Sequence, residues 1–544
     1  LNAADARDAY DLTFHEALAE AAVAAEPPLA DFGRHKHEES RARYRQIDKR
    51  LQELNRREVA HLAAKVEVPA GVSTGRVAEL TELGLIKHEV GKQRAHVRIR
   101  QLFGRASAAV MALKPCLMMS PMSVAQFLPP GLVEFDIVIM DEASQIRPEE
   151  ALGAAARGRQ LVVVGDPKQL PPTSFFDRMD AGEIEEEEEA GIAEDAESVL
   201  EVAMRGLATV RRLKGHYRSL HESLIAFSND RFYDGELVVF PSPVKEAARL
   251  GVFRREVAGT YQPRVGSLAE AQAVAEAIAE HARQTPHWSL GVGVFNMRQR
   301  DLIIDALDRL MEQDAGLRTA VTKLEEQSGQ ELFIKNLENL QGDERDVIFI
   351  GYTFGPDEAS GRVFQRFGPV TGEHGWRRLN VLITRARRRV EVFSTMNPSQ
   401  ILAGPDKSRG VNAMKDYLAF AADGTLPTRT LATGKAPDSP FEVAVARVVR
   451  SMGLDVRPQV GVAGYFIDIG VLKPGREDEY LLGIECDGAT YHSARSVRDR
   501  DRLRQQVIES RGWKLHRVWS TDWFFNQQSE ERRLREAITA ALAG

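Results

Sequence analysis

The chain has 544 residues, 43% of them apolar and 28% charged, with a formal net charge of -7 and two cysteines. That length exceeds what one hydrophobic core serves and points to three or four units; no apolar run approaches the ~18 residues of a membrane span. Cys116 and Cys486 supply neither a disulfide framework nor a four-thiolate zinc site. A reducing cytoplasm is the expected location, and a start at Leu1 rather than Met suggests a piece of a longer protein.

Residues 1–33 are Ala-rich and read as helical, while 34–65 mix charges densely around Tyr44, Ile47, Leu51 and Leu54. Their spacing of three and four predicts one apolar stripe on a long, solvated helix, as in a stalk or accessory insert. After Pro69 and Gly71 comes a basic cluster, Lys87, His88, Lys92, Arg94, Arg98, Arg100 and Arg105, suited to tracking a phosphate backbone. Ser120, in SPMSVAQFLPP, has the chemistry of a helix N-cap.

Two short apolar runs follow, Ile137–Met140 and Leu161–Val164, with Asp141-Glu142 after the first and Asp166 after the second. Uninterrupted runs of this length read as buried parallel strands, and ligands of open α/β sheets bind beyond the carboxyl ends of such strands. Asp141, Glu142, Asp166 and Gln169 are therefore expected in one crevice. A strand-end aspartate can hold Mg²⁺ and an adjacent glutamate can orient or deprotonate water. Asp-Glu alone would also suit the positive start of a helix. Followed by GDPKQLPPT, it resembles motifs II and III of superfamily 1 helicases of the 1B, UPF-like type.

The resemblance implies an α/β fold with two RecA-like lobes moving on nucleic acid, ATP and Mg²⁺ as cofactors, and Asp141 as the metal ligand. Ser120, Ser123 and Gln126 then correspond to a nucleic-acid contact motif. The acidic stretch 183–197, with nine acids and no base, reads as a solvated loop; removing it turns the formal charge from -7 to +2. VRRLKGHYRS (210–219) resembles motif IV, with Arg218 reaching the γ-phosphate. GVGVFNMRQRDLIIDAL (291–307) carries Asn296 and Gln299 where the family touches nucleic acid or nucleotide. NLENLQGDERDVIFI (336–350) matches motif V, placing Gln341, Gly342 and Glu344 at the nucleotide, and LNVLITRARRRVEVF (379–393) matches motif VI, with Arg385 as arginine finger and Arg387, Arg388 and Arg389 as surface or DNA contacts. An arginine's planar fork suits charge building on a transferring phosphoryl group.

No G-x-x-x-x-G-K-[ST] phosphate loop occurs; VGKQR (90–94) and TGKAP (433–437) lack the upstream glycine and the Ser/Thr. Truncation is the favoured explanation, and this chain alone is expected to hydrolyse ATP poorly.

ATGKAPDSP (432–440) reads as a linker. Beyond it, Ser439 and Pro440 open a helix, three strand-like runs follow, and then come a basic helix, the strand KLHRVWS and a closing helix. Asp468 lies in one run, while Glu485 and Asp487, two apart, share a face of another. If these strands pair, three carboxylates converge as a Mg²⁺ site for activating water. This order, with D…ExD, resembles the PD-(D/E)xK nuclease fold, in the branch related to very-short-patch repair endonucleases. The resemblance implies Asp468 and Glu485 as metal ligands for Mg²⁺ or Mn²⁺, Glu442 as accessory acid and His492 as acid or base; Asp487 stands where the family has lysine. Segment 494–517, with eight Lys/Arg against three acids and including Arg498 and Arg502, is expected to track phosphates.

The expected organisation is a helical accessory region (1–100), the remainder of a first RecA-like lobe (101–204), a second lobe (205–425), a linker (426–438) and a restriction-endonuclease-like domain (439–544). The expected function is an ATP-dependent DNA helicase or translocase coupled to a metal-dependent endonuclease, in repair or defence against foreign DNA. The alternatives are a non-catalytic DNA-binding remodelling subunit and an RNA helicase.

Overall fold

A computed structural model describes residues 3–26, 34–94, 96–172, 197–244, 250–424, 436–462, 464–487, 498 and 503–543. The chain divides into two compact units: Ala63–Val239 with Glu246–Leu431, and Leu1–Leu62 with Phe240–Lys245 and Ala432–Gly544. The accessory region of the sequence reading is thus split, its first 62 residues grouping with the C-terminal module. The acidic stretch lies outside the described residues except for Glu197.

In the larger unit, β1 (Phe135–Met140) and β2 (Gly158–Val163) pair in parallel, and Met140 is the register partner of Val163. Their small core joins Met140, Ala143, Ala151 and Leu200. Ile137 and Ile139 remain 50% and 66% exposed, so these strands are less covered than an uninterrupted apolar run predicts. A short parallel pair, β3 (Gly215–His216) and β4 (Val238–Val239), precedes the main sheet.

That sheet contains β5 (Gly251–Glu256), β6 (Leu290–Val294), β7 (Phe333–Asn336), β8 (Arg345–Gly351) and β9 (Ala386–Ser394), all parallel in the order β5-β9-β8-β6-β7. β6 is buried along its whole length because helices cover both faces: one core gathers Val274, Ile278, Ile303 and Phe349, the other Ile348, Ile350, Leu382 and Tyr417. The arrangement is the doubly covered parallel sheet expected of a RecA-like lobe.

The smaller unit contains β10 (Val456–Val462), β11 (Tyr465–Leu472), β12 (Tyr480–Asp487) and β13 (Leu515–Trp519), in sequential order. The first two pairings are antiparallel and the last is parallel. Helices Pro440–Arg450 and Gln527–Ala543 pack through Val445, Val449, Leu534 and Ile538 onto Ile469, Ile484 and Val518. Gly483 lies beside Leu515 where β12 pairs with β13, and a Cβ there would meet the Leu515 side chain at 2.9 Å and the Trp513 ring at 3.1 Å.

The long helix predicted over 34–65 is present as Arg34–Ala64, with its apolar stripe outward. Ile47, Leu51 and Leu54 are exposed, while Arg41 and Asp48 are buried. The periodicity located the helix, but its buried face is set by polar partners far away in sequence. No described helix is long and apolar enough to cross a membrane.

Candidate active sites

The ends of β1 and β2 are drawn together by Ala143 N donating to Val164 O at 2.9 Å. Gly165 permits this, since a Cβ there would come within 3.1 Å of Ser144 N and 3.2 Å of Ala143 N. Asp141 and Glu142 follow β1 directly, and Glu142 takes a left-handed backbone (φ 52°, ψ 38°). For a residue with a Cβ this conformation costs of order 1 kcal/mol and recurs at functional sites.

Asp166 organises the neighbouring turn. Its carboxylate accepts from Lys168 N at 2.9 Å, from Gln169 Nε2 at 3.1 Å and from the Tyr233 hydroxyl at 2.6 Å. Burial and the Asp166 charge push the Tyr233 phenol well above its ordinary value, so it remains a hydrogen-bond donor. Asn380 Nδ2 donates to Tyr233 Oη at 3.1 Å and to Lys168 O at 2.8 Å. The turn after β2 is thus tied to the helix Gly375–Ile383, which leads into Arg385.

Gln341 Nε2 donates to Glu142 Oε2 at 2.9 Å, and Gln341 Oε1 is buried with no partner among the described residues. Gly342 has φ 84°, which turns the chain between Gln341 and Glu344. Glu344 pairs with Arg218 at 2.9 Å. The turn carrying Gln341 is anchored by the buried pair Glu338–Arg378 at 2.6 Å.

Arg385 is 3% exposed; its Nε donates to Val381 O at 2.8 Å and a terminal nitrogen to Thr384 Oγ1 at 3.2 Å. It has no ion pair among the described residues. Burial first, and then the charge of Arg218, pull its guanidinium down to about 10; Glu142 and Glu344 oppose that shift. Two arginines therefore converge on the carboxylates after β1 and before β8. A buried cation held by neutral acceptors favours an incoming anion, and this donor set fits a nucleotide phosphate, with Asp141 available to a divalent cation.

The other sequence-predicted residues of this unit fall as follows. Ser120 caps the helix Pro121–Phe127, accepting from Ser123 N at 3.2 Å, and Ser123 Oγ accepts from Ser120 Oγ at 3.0 Å. Gln126 is exposed on that helix, its carbonyl taken by Arg100. Asn296 caps the helix Met297–Gln313. Gln299, expected where a ligand binds, is fully buried, bonded to Ser267 through both ends of its amide and to Glu270, and so braces the loop. Glu270 also accepts from Thr353 N at 2.9 and 3.1 Å, and burial pushes its carboxyl up to about 8. Arg388 pairs with Asp346 and Arg389 with Glu391, which leaves Arg387 as the exposed member of that run.

In the smaller unit, Ile469 pairs with Ile484, so Asp468 and Glu485 occupy the next rung of the same antiparallel ladder and share a face. Cys486 N donates to Asp468 Oδ2 at 2.7 Å. Glu485 accepts from the Tyr465 hydroxyl at 2.9 Å and from Arg517, its register partner on β13, at 2.5 Å. Burial and the Glu485 charge push the Tyr465 phenol up. Sequence reasoning expected a third carboxylate here; the side chain of Asp487 lies outside the described residues, as do His492 and Arg502. Among the described residues no group of three His, Cys, Asp or Glu gathers as a metal site. Two carboxylates on one face, each with further lone pairs, still fit a divalent cation. Glu442 is buried, bonded to Ser439, to Asp438 N and to Gln459 Nε2 at 2.8 Å.

Sequence reasoning missed Tyr233, Asn380, Tyr465, Gln459 and Arg517. Gln459, buried in β10 with φ 48°, carries no signal in the apolar pattern of its strand. Arg517 was legible only as one of several basic residues. Tyr217, 79% exposed beside Arg218, presents a bare aromatic ring next to a phosphate-reading candidate.

Two AAA-domain family models, AAA_11 and AAA_12, match residues 122–176 and 196–397, and the model REase_MTES_1575 matches residues 441–538. The chain carries helicase domains of the UPF-like superfamily 1 type and a C-terminal restriction-endonuclease-like domain. It is similar to "Uncharacterized ATP-dependent helicase MG140 homolog" of Mycoplasma pneumoniae, 30% identical over 458 residues that cover 80% of this chain and 40% of that protein. It is also similar to "Uncharacterized ATP-dependent helicase MG140" of Mycoplasma genitalium, 28% identical over 78% of this chain and 39% of that protein. A third relative is "DNA replication ATP-dependent helicase/nuclease DNA2" of Gallus gallus, 25% identical over 47% of this chain and 23% of that protein. The chain spans about 40% of the length of the first two.

Proposed function

We propose that the chain forms part of an ATP-dependent DNA translocase coupled to a metal-dependent DNA endonuclease, acting in DNA repair or in defence against foreign DNA. One observation carries the motor reading: Arg385 is a buried cation with no ion pair among the described residues, beside Arg218 and the Glu142–Gln341 contact. ATP and Mg²⁺ would supply the phosphoanhydride and its charge-neutralising cation, with Asp141 as the metal-holding carboxylate. Glu142 orients an attacking water and takes its proton, Gln341 holds Glu142 in place, and Arg218 and Arg385 meet the charge on the terminal phosphate. Tyr217 offers its ring for stacking on a base. Loss of the terminal phosphate removes what the arginines grip, and the lobes shift along the strand.

In the C-terminal domain Asp468 and Glu485 would hold the cation that activates water against a phosphodiester. Arg517, already on Glu485, favours a second reading: a DNA-binding module in which that arginine has replaced the metal. Titrating Mg²⁺ and Mn²⁺ against nicking of single- and double-stranded DNA separates the two. Metal-dependent nicking abolished by Asp468→Ala is expected; identical behaviour of wild type and Asp468→Ala rejects the nuclease.

A further inference from the structure

The helix Arg34–Ala64 lays one polar face, Glu38, Arg41, Arg45 and Asp48, on the C-terminal domain of its own unit. The Asp48 carboxylate, 3% exposed, takes Arg498 through Nε at 3.1 and 3.3 Å and through a terminal nitrogen. Arg45 donates to Gln505 Oε1 at 2.5 Å, Trp519 Nε1 donates to Glu38 Oε1 at 3.3 Å, and the Arg41 guanidinium lies 5.8 Å from the Trp519 ring centroid. Trp519 is the register partner of Asp487 and stands two residues beyond Arg517, which holds Glu485. The helix therefore reaches from Arg498 to Trp519, whose ring centroid lies 5.8 Å from the Arg517 guanidinium that holds Glu485.

We infer that the face formed by Arg498, Gln505 and Trp519 is a surface for the nucleic-acid backbone which this helix covers, with Asp48 standing where a phosphate binds. A guanidinium fork takes a carboxylate or a phosphate by the same paired donors, so the two exclude one another. In the sequence, the basic excess of 494–517 favours a polyanion as the exchanging partner, and the Trp519 indole gives a base a ring to stack on. The docked face of the helix is polar, whereas Ile47, Leu51 and Leu54 face outward. A contact made of an ion pair and hydrogen bonds can be traded for equivalent bonds to phosphates; an apolar one could not. This inference rests on the nucleic-acid reading of the C-terminal domain and deepens it.

The test uses the full chain and labelled single-stranded and duplex DNA, with binding read by fluorescence anisotropy in Ca²⁺ so that no cleavage is needed. Asp48→Asn is expected to tighten binding about fivefold or more, the scale of one charge-assisted bond. Arg498→Ala weakens binding, and Asp48→Asn gives no gain when added to Arg498→Ala. If Asp48→Asn does not fold, as judged by its thermal transition, Glu38→Gln with Arg45→Ala loosens the same helix and should also tighten binding. Unchanged or weaker binding by the loosened variants, or an equal gain with and without Arg498, overturns the inference. Tighter binding with no cleavage in Mg²⁺ by any variant leaves the cover standing and removes the endonuclease. Cleavage by wild type with no change in Asp48→Asn removes the cover alone.

Discussion

Gln341 donates its side-chain amide to Glu142 across 199 residues of sequence. The contact joins the turn before β8 to the acidic turn after β1, and the buried Oε1 of the same amide has no partner among the described residues. Gln341→Glu sets two carboxylates against each other. The expected loss is about 1 kcal/mol, a fall of roughly 2–4 °C in thermal midpoint, with faster deuterium exchange at residues 337–344. An unchanged exchange pattern would mean that the contact joins nothing.

Arg385 should make the resting protein less stable than an apolar residue would. Replacing it with methionine removes a buried cation while keeping much of the side-chain volume, and such exchanges are often neutral or stabilising by about 1 kcal/mol or more. Arg385→Met is therefore expected to melt no lower than wild type, yet to lose any stabilisation by nucleotide and Mg²⁺ in a thermal-shift assay. A large drop in melting temperature would make Arg385 a structural residue.

Glu270 gives the larger unit an acid-side preference. Its carboxyl is pushed up to about 8 from an ordinary 4.5 by burial, so between those values the folded protein keeps a proton that the unfolded chain has released. Stability then falls as pH rises through that window and levels off above it, at no more than about 1.4 kcal/mol per pH unit. Urea unfolding at pH 5, 6.5 and 8 should show this decline in wild type and a flatter profile in Glu270→Gln.

Removing Arg517 strands the Glu485 charge. Arg517→Ala is expected to lose about 3 kcal/mol and to recover part of that on addition of Mn²⁺, read as a metal-dependent rise in melting temperature larger than wild type shows. A variant indifferent to Mn²⁺ would favour the metal-free reading of the domain.

The 544-residue chain contains no glycine-rich phosphate loop of the G-x-x-x-x-G-K-[ST] form. DNA-stimulated ATP turnover by this chain is expected to match that of its own Arg385→Ala variant in a phosphate-release assay. A clearly higher rate would assign the phosphate cradle to other residues.

What was legible in the sequence follows the range of the forces involved. The strands ending at Met140 and Val163, the helix opened by Ser439-Pro440 and the strands that carry Asp468 and Glu485 are local: apolar runs, a cap and a two-residue alternation specify them, while the register that sets those two carboxylates opposite each other is not. The links Asp166–Tyr233–Asn380 and Glu485–Arg517 were not legible, because each joins elements whose proximity is decided by the folded sheet. The helix Arg34–Ala64 shows the failure most plainly. Its stripe of Ile47, Leu51 and Leu54 predicted the helix and stays exposed, whereas the face that packs carries Arg41 and Asp48, the latter paired with Arg498, which no periodicity announced. The bonds of the Gln299 amide to Ser267 and Glu270 were not legible either, since they join it to a helix start 32 residues away.

The left-handed turn at Glu142 sets durability against the chemistry proposed for its carboxylate at a single codon. Glycine would relax that backbone at once, and asparagine would tolerate it better than glutamate does. A laboratory selection that rewards heat resistance alone should drift toward those residues at position 142, yielding sturdier descendants that have discarded the very carboxylate the bend displays.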